Sequence, residues 1–278
     1  MTTPKTTPPL PSLTLLIAWA CFFLPSVKAG EISITPTLYA FNYREFDERK
    51  VVLNEETGLL NALSFSAEAS LAGHWRSGFG LMLAKGTVDY DGRTQTGQPH
   101  HTETDETLNA WRYSLRHHTQ LQNQYAQVGL DLVYMNWTRD IQPKNNILGL
   151  YENYRWWELG LVAEAGMKTA WQGQLSTHLS IFRVFNPEME VDLTAVGYGQ
   201  PTLSLGEKNG ARMALNWTRP LSSDWQLGVE TWFKLWRFGR SKDVRLSNNS
   251  PFGITIHEPA STSRHAGLNL TVTRTFSD

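Results

Sequence analysis

Two aspartates one residue apart, in Val88-Asp89-Tyr90-Asp91, carry the spacing in this 278-residue chain that most invites chemistry. On a strand they project from one face, where paired carboxylates can hold and polarise a water molecule. Acids recur at Asp105 and Glu106 and at Glu188, Glu190 and Asp192, but the segment holding the last three has no histidine. A hydrolytic mechanism there lacks a base that titrates near neutrality. His100 and His101, beside Glu103, Asp105 and Glu106, offer donors for a divalent metal without the fixed ligand spacing of structural zinc sites, so the reading assigns no metal and no cofactor. Asp89-Tyr90-Asp91-Gly92 echoes a fragment of a calcium loop whose later ligands are missing. His178 lies between Ser176 and Ser180, about 7 Å away at strand spacing, too far for direct activation of either hydroxyl. Arg237, Arg240, Lys242 and Arg245 form a cationic stretch that fits two readings equally, contact with lipopolysaccharide phosphates or a solvated loop with no preferred partner.

The elements that must position these groups show a period of two. Leu63 to Leu71 alternates apolar and polar at every step, which a helix would scatter around its circumference. The same pattern recurs through Phe79 to Leu83, Trp111 to Leu115, Ala126 to Tyr134, Trp157 to Ala163, Leu175 to Ile181, Met213 to Trp217, Trp225 to Leu235 and Leu268 to Phe276. With Ile32 to Tyr43 this gives ten candidate strands. Connections of about 18 to 22 residues, with one of about nine, alternate with short ones around residues 73–77, 118–123, 166–173 and 220–223. That sorting predicts an all-β transmembrane antiparallel β-barrel, most simply of ten strands, with a range of 8 to 12 because residues 189–205 and 245–259 could hide more. The long connections, 44–62, 89–106, 186–207 and 240–261, would then be extracellular loops. Trp75, Trp171, Trp217 and Trp225 would form a periplasmic girdle, and Trp137 and Trp236 an outer one, with Trp156, Trp157 and Trp232 in mid-strand.

The alternate residues would face the lumen: Glu68, Arg112, Arg116, Asp131, Glu158, Glu164, His178, Glu230 and Lys234. Ten strands lie near the filled end of the barrel series, so a plugged lumen and a narrow porin-like channel both remain open. The first residues read as a secretory signal peptide: Lys5, an apolar run from Leu13 to Leu24, and a cut after Ala29 in Val27-Lys28-Ala29. Residues 30–278 would be the barrel. The single cysteine, Cys21, falls within the removed part, so no disulfide holds the mature chain. Removing Lys5 and Lys28 leaves 25 − 2 = 23 cations against 26 acids, a formal charge of −3 that argues against nucleic acid as a partner.

The closing segment, Gly267-Leu268-Asn269-Leu270-Thr271-Val272-Thr273-Arg274-Thr275-Phe276, resembles the C-terminal strand of bacterial outer-membrane β-barrel proteins, although Ser277-Asp278 follow the aromatic residue. The resemblance implies a Gram-negative outer-membrane location, with outer-membrane lipid and the outer-membrane assembly machinery as partners. Asp89 and Asp91, at the top of the third strand, resemble one half of the omptin protease site; the other half in that family is an acid and a histidine on the opposite wall. The reading is a non-enzymatic surface, interaction or structural barrel with an unidentified extracellular ligand. The alternatives are a narrow solute channel and an omptin-like endoprotease.

Overall fold

A computed structural model describes residues 29–277 except 72, 95–96, 171–172 and 248–252. Ten antiparallel strands form the barrel: β1 (Ala29–Phe46), β2 (Val52–Ser70), β3 (Trp75–Arg93), β4 (Pro99–Leu121), β5 (Gln124–Ile141), β6 (Leu150–Lys168), β7 (Gln174–Val191), β8 (Asn209–Pro220), β9 (Trp225–Phe238) and β10 (Ala260–Ser277). Each pairs with its sequence neighbour, and β10 pairs with β1, so the sheet closes and has no free edge along its main ladder. The closing pairs run from Ala29 opposite Ser277 to Phe46 opposite Ala260. Nearly all of the proposed signal segment lies outside the described residues.

Side-chain parity sorts the wall into two faces. Ile32, Phe65, Leu83, Leu130, Leu161, Ile181, Met213, Phe233 and Leu268 are exposed on the outer face, each between 40 and 65%. A closed barrel with a continuous exposed apolar belt is built for lipid. Two glycines make room inside the wall: a side chain at Gly267 would meet the Trp232 ring, and one at Gly166 the Tyr125 ring.

The strands outrun the apolar belt. Seven have 18 or 19 residues and β4 has 23. At about 3.3 Å per residue and a tilt near 40°, an 18-residue strand rises roughly 45 Å. An apolar band of about 25 Å fills only part of that. Above the belt the outward residues turn polar, among them Thr57, Asp89, Asp105, Thr138 and Asp140, while backbone pairing continues. This corrects two of the expected long loops. Residues 44–62 consist mostly of the ends of β1 and β2 around a turn at 47–51, and residues 89–106 consist mostly of the ends of β3 and β4. Lipid-facing alternation marks a strand only where it meets lipid, so the part in water reads as loop.

Two connections are extended. After β7 come a 3-10 turn at Thr194–Val196 and a short strand, Thr202–Ser204, paired to β7. Between β9 and β10, Val244–Leu246 and Ile254–Ile256 form a small hairpin. These segments, suspected of hiding barrel strands, hold accessory strands among their described residues and add none to the barrel ladder there.

Trp75 and Trp225 are exposed on the outer face, and Trp217 is half-buried there; Trp171 lies outside the described residues. The expected outer girdle is corrected. Trp137 and Trp236 are fully buried inside the barrel, because Trp137 stands on the opposite parity from Leu130, Leu132 and Tyr134. Trp156 is also internal, and Trp157 faces outward.

Candidate functional site

The interior is layered. On its lower levels Arg116 pairs with Asp131 at 2.6 Å, Arg212 with Glu230 at 2.6 Å, and Lys234 donates to both Glu158 oxygens at 2.8 Å. Glu164 accepts from the Tyr125 hydroxyl, and its other oxygen lies 3.8 Å from His178 Nδ1. Glu68 and Arg112 are half-buried on the same inward parity. Seven of the eight charges expected in the lumen therefore line β4 to β9, and Glu68 joins them from β2. Ser176 and Ser180 are buried beside His178, whose assigned ion partner is Glu164.

Above the Glu158–Lys234 pair the lumen is filled with rings. Phe41 from β1 meets Trp137 from β5 at 5.8 Å, and Trp137 stacks on Tyr154 at 4.8 Å. Tyr154 and Trp156 from β6 reach Phe238 and Trp236 from β9 at 6.1 and 6.0 Å. His265 from β10 lies 4.4 Å from Trp236 and 4.6 Å from Phe41. Strands β6 and β9 are not neighbours, so these contacts cross the lumen. All seven rings are at most 3% exposed.

The next layer is acidic. Arg139, 0% exposed, donates to Glu56 at 2.9 and 3.2 Å, to Glu152 at 2.6 Å, to Glu45 at 3.1 Å and to the Tyr154 hydroxyl at 3.0 Å. Tyr43 lies under the guanidinium, 4.4 Å from ring centroid to Cζ. Glu258, from the turn before β10, accepts from Tyr154 at 2.7 Å. Apart from Glu106, which the sequence offers as an acid beside His100 and His101, this layer escapes the sequence analysis. Carrying the Asp131-Val133-Met135-Trp137 parity two residues further would have put Arg139 inside.

The aspartate pair is elsewhere. The β3–β4 register runs unbroken from Trp75 to Arg93, so Asp89 and Asp91 stay on the outward parity of Phe79, Leu81 and Leu83. They line an open depression of about 760 Å³ on the outer wall with Glu55, Glu103, His101 and Lys144. His101 Nδ1 lies 3.0 Å from Asp91 Oδ1, but the two side chains are 66 and 72% exposed. His100 points the other way, buried against Tyr90, so the adjacent histidines cannot share one ion. Among the described residues no group of three metal-ligating acids, histidines or cysteines comes together. Glu188 and Glu190 flank Arg155 on the outer wall, with Glu190 3.7 Å from its guanidinium, and Asp192 holds Thr194 and Gln200.

Of the cationic stretch, Arg237 is exposed on the outer wall of β9. Arg264 on β10 is exposed beside it, opposite Leu235, and Arg183 on β7 is exposed on the same face, one outward step above Ile181, which shares Ala211 of β8 with Leu235; Arg183 is paired with Glu207 at 2.9 Å. One step down each strand the outward residues are Leu235, Ala266 and Ile181, so these arginines sit on the upper edge of the belt. Arg240 is tied to Asp243 at 2.5 Å, while Lys242 and Arg245 are exposed in the connection above.

No family model matches the chain, and neither does any curated protein. Among solved structures the barrel is similar to the outer membrane protease OmpT from Escherichia coli, with a TM-score of 0.58 and 11% identity over 89% of this chain and 96% of that one. Weaker likenesses include the translocator domain of autotransporter NalP from Neisseria meningitidis (TM-score 0.43, 10% identity, 94 and 93% covered) and OprG from Pseudomonas aeruginosa (0.40, 10%, 90 and 98%). The fold is that of bacterial outer-membrane β-barrels.

Proposed function

We propose that the protein is a sealed bacterial outer-membrane barrel, exported by a cleaved signal peptide, that acts through its extracellular extension as a non-enzymatic surface protein. One observation carries this reading: rings from β1, β5, β6, β9 and β10 meet across the lumen with at most 3% exposure. A barrel so filled holds no continuous aqueous path at that level. Proteoliposomes loaded with an osmolyte should swell no faster in small sugars than protein-free vesicles. Swelling that slows with solute size would instead establish the channel alternative.

The extension, the part of β1 to β7 above the apolar belt with the two long connections, is the surface that a ligand outside the cell meets first. The strands carrying it are anchored below by lipid, and β10 is the segment that the assembly machinery would read. Arg237 and Arg264, at the top of the lipid-facing belt, would meet the phosphates of lipopolysaccharide, while Arg183 is already paired with Glu207 at 2.9 Å. Lys242 and Arg245 lie higher and would reach only the outer saccharides.

The Asp91–His101 contact favours a second reading, a surface hydrolase. Against it stands the geometry, since both groups lie on an open wall and no facing wall completes the site. A panel of fluorogenic peptides tests it: cleavage abolished by Asp91→Asn and by His101→Ala would establish the hydrolase, and no turnover is expected.

A further inference from the structure

The acidic layer at the outer end of the lumen brings five carboxyls, those of Glu45, Glu56, Glu106, Glu152 and Glu258, around the single guanidinium of Arg139. None of the five residues is more than 7% exposed. The available donors do not suffice for five carboxylates. Arg139 serves Glu56 with two bonds and divides one nitrogen among Glu45, Glu152 and Tyr154. The Tyr154 hydroxyl lies 2.7 Å from Glu258 and 3.1 Å from Glu152, and the Tyr43 hydroxyl lies 3.0 Å from Glu45 and 3.4 Å from Glu258. Each hydroxyl has one hydrogen to give. Glu106, 0% exposed, accepts from the Trp137 indole at one oxygen, and its other oxygen has no partner.

Among the described residues no second lysine or arginine hydrogen-bonds to these carboxyls. Tyr90 from β3 and Thr104 from β4 complete the polar lining, while β7 and β9 contribute Met189, Val191 and Phe238. Below, His265 lies within the aromatic layer against the Tyr39 hydroxyl, and beyond that layer Lys234 is already committed to Glu158. Four uncompensated negative charges (five carboxylates less one guanidinium) in a layer so buried would each cost several kcal/mol. Protonation removes both the charge excess and the donor shortage.

We propose that this layer is a proton-binding site that holds more than one proton at neutral pH and thereby locks the outer mouth of the barrel. Glu106 and Glu258 are the residues that carry them, each donating to a neighbouring carboxylate or tyrosine oxygen. Burial, with the charges of Glu45 and Glu152 added, pushes the Glu258 carboxyl well above the ordinary carboxylate range, which agrees in direction. A folded value raised above the unfolded one stabilises the fold fully below about pH 4.3 and ever less as pH climbs through the raised value. The lock therefore loosens toward alkaline pH.

The test uses the refolded full barrel in lipid vesicles. Infrared spectra at pH 7 should show the carbonyl stretch of protonated carboxyls, reduced in Glu106→Gln and in Glu258→Gln and lost in the double variant. The thermal midpoint of the wild type should fall between pH 6 and pH 10, and the double variant, whose amides stand in for the protonated acids, should lose that fall. If either variant fails to fold, the wild-type band and its disappearance on alkaline titration still decide. No protonated band at pH 7, or a midpoint flat across that range, would overturn the proposal.

Discussion

Glu158 accepts two bonds from the Lys234 ammonium deep in the barrel, where neither side chain is more than 16% exposed. Removing one partner of such a pair leaves the other charged and buried, a loss of about 3–5 kcal/mol. Lys234→Met is therefore expected to lower stability by that amount in urea titrations of the vesicle-embedded barrel, and Glu158→Gln combined with Lys234→Met should recover a good part of it. Equal losses in the single and double variants would contradict the pairing. On the opposite face, Leu130 is an exposed outward residue within the apolar belt. Leu130→Arg should cost about 2–4 kcal/mol in lipid. A neutral effect would mean that Leu130 does not face lipid. Glu158, Lys234 and Leu130 can all be read from parity alone. Arg139 is reached the same way only by carrying the inward parity of Asp131 and Trp137 two residues further, above the level where the outward neighbours are apolar and alternation no longer announces a strand.

Strands make that limit general. Alternation located all ten barrel strands, yet it missed the upper ends of β1 to β5, where Glu55, Thr57, Asp89, Asp105 and Thr138 face water on one side and the sealed interior lies on the other. The same upper segments mislead about tryptophan. Trp137 and Trp236 have the height of a girdle but the parity of the core, and for Trp137 parity was legible in Leu130, Leu132 and Tyr134. Between strands, the arginine row is a property of pairing. Arg264 and Arg183 lie far from Arg237 in the chain, and only the β9–β10, β8–β9 and β7–β8 registers together bring them to one edge. If that row holds lipid phosphates, adding lipopolysaccharide to the detergent-solubilised barrel should raise its thermal midpoint. Arg237→Ser with Arg264→Ser should remove most of the increment, while Lys242→Ser with Arg245→Ser leaves it. An increment indifferent to the first pair and lost with the second would return the contact to the connection above.

At the scale of the whole molecule, closure by β1 and β10 and the filled lumen are separate achievements. The ten-strand closed barrel was legible because every lipid-facing stripe must alternate and because long and short connections alternate too. The seal was not, since ring contacts between β6 and β9 or β1 and β5 depend on how the sheet curls and on which inward residues meet across it. With no disulfide in the described barrel, lipid outside and the aromatic and ionic layers inside hold the strands together. Planar-bilayer recording of the refolded mature protein tests the seal most directly. Silent membranes at neutral pH, from preparations shown to be inserted and heat-resistant, are the predicted result. Steady single-channel openings whose conductance changes when Glu158 or Arg112 is neutralised would contradict it and make the protein a selective pore.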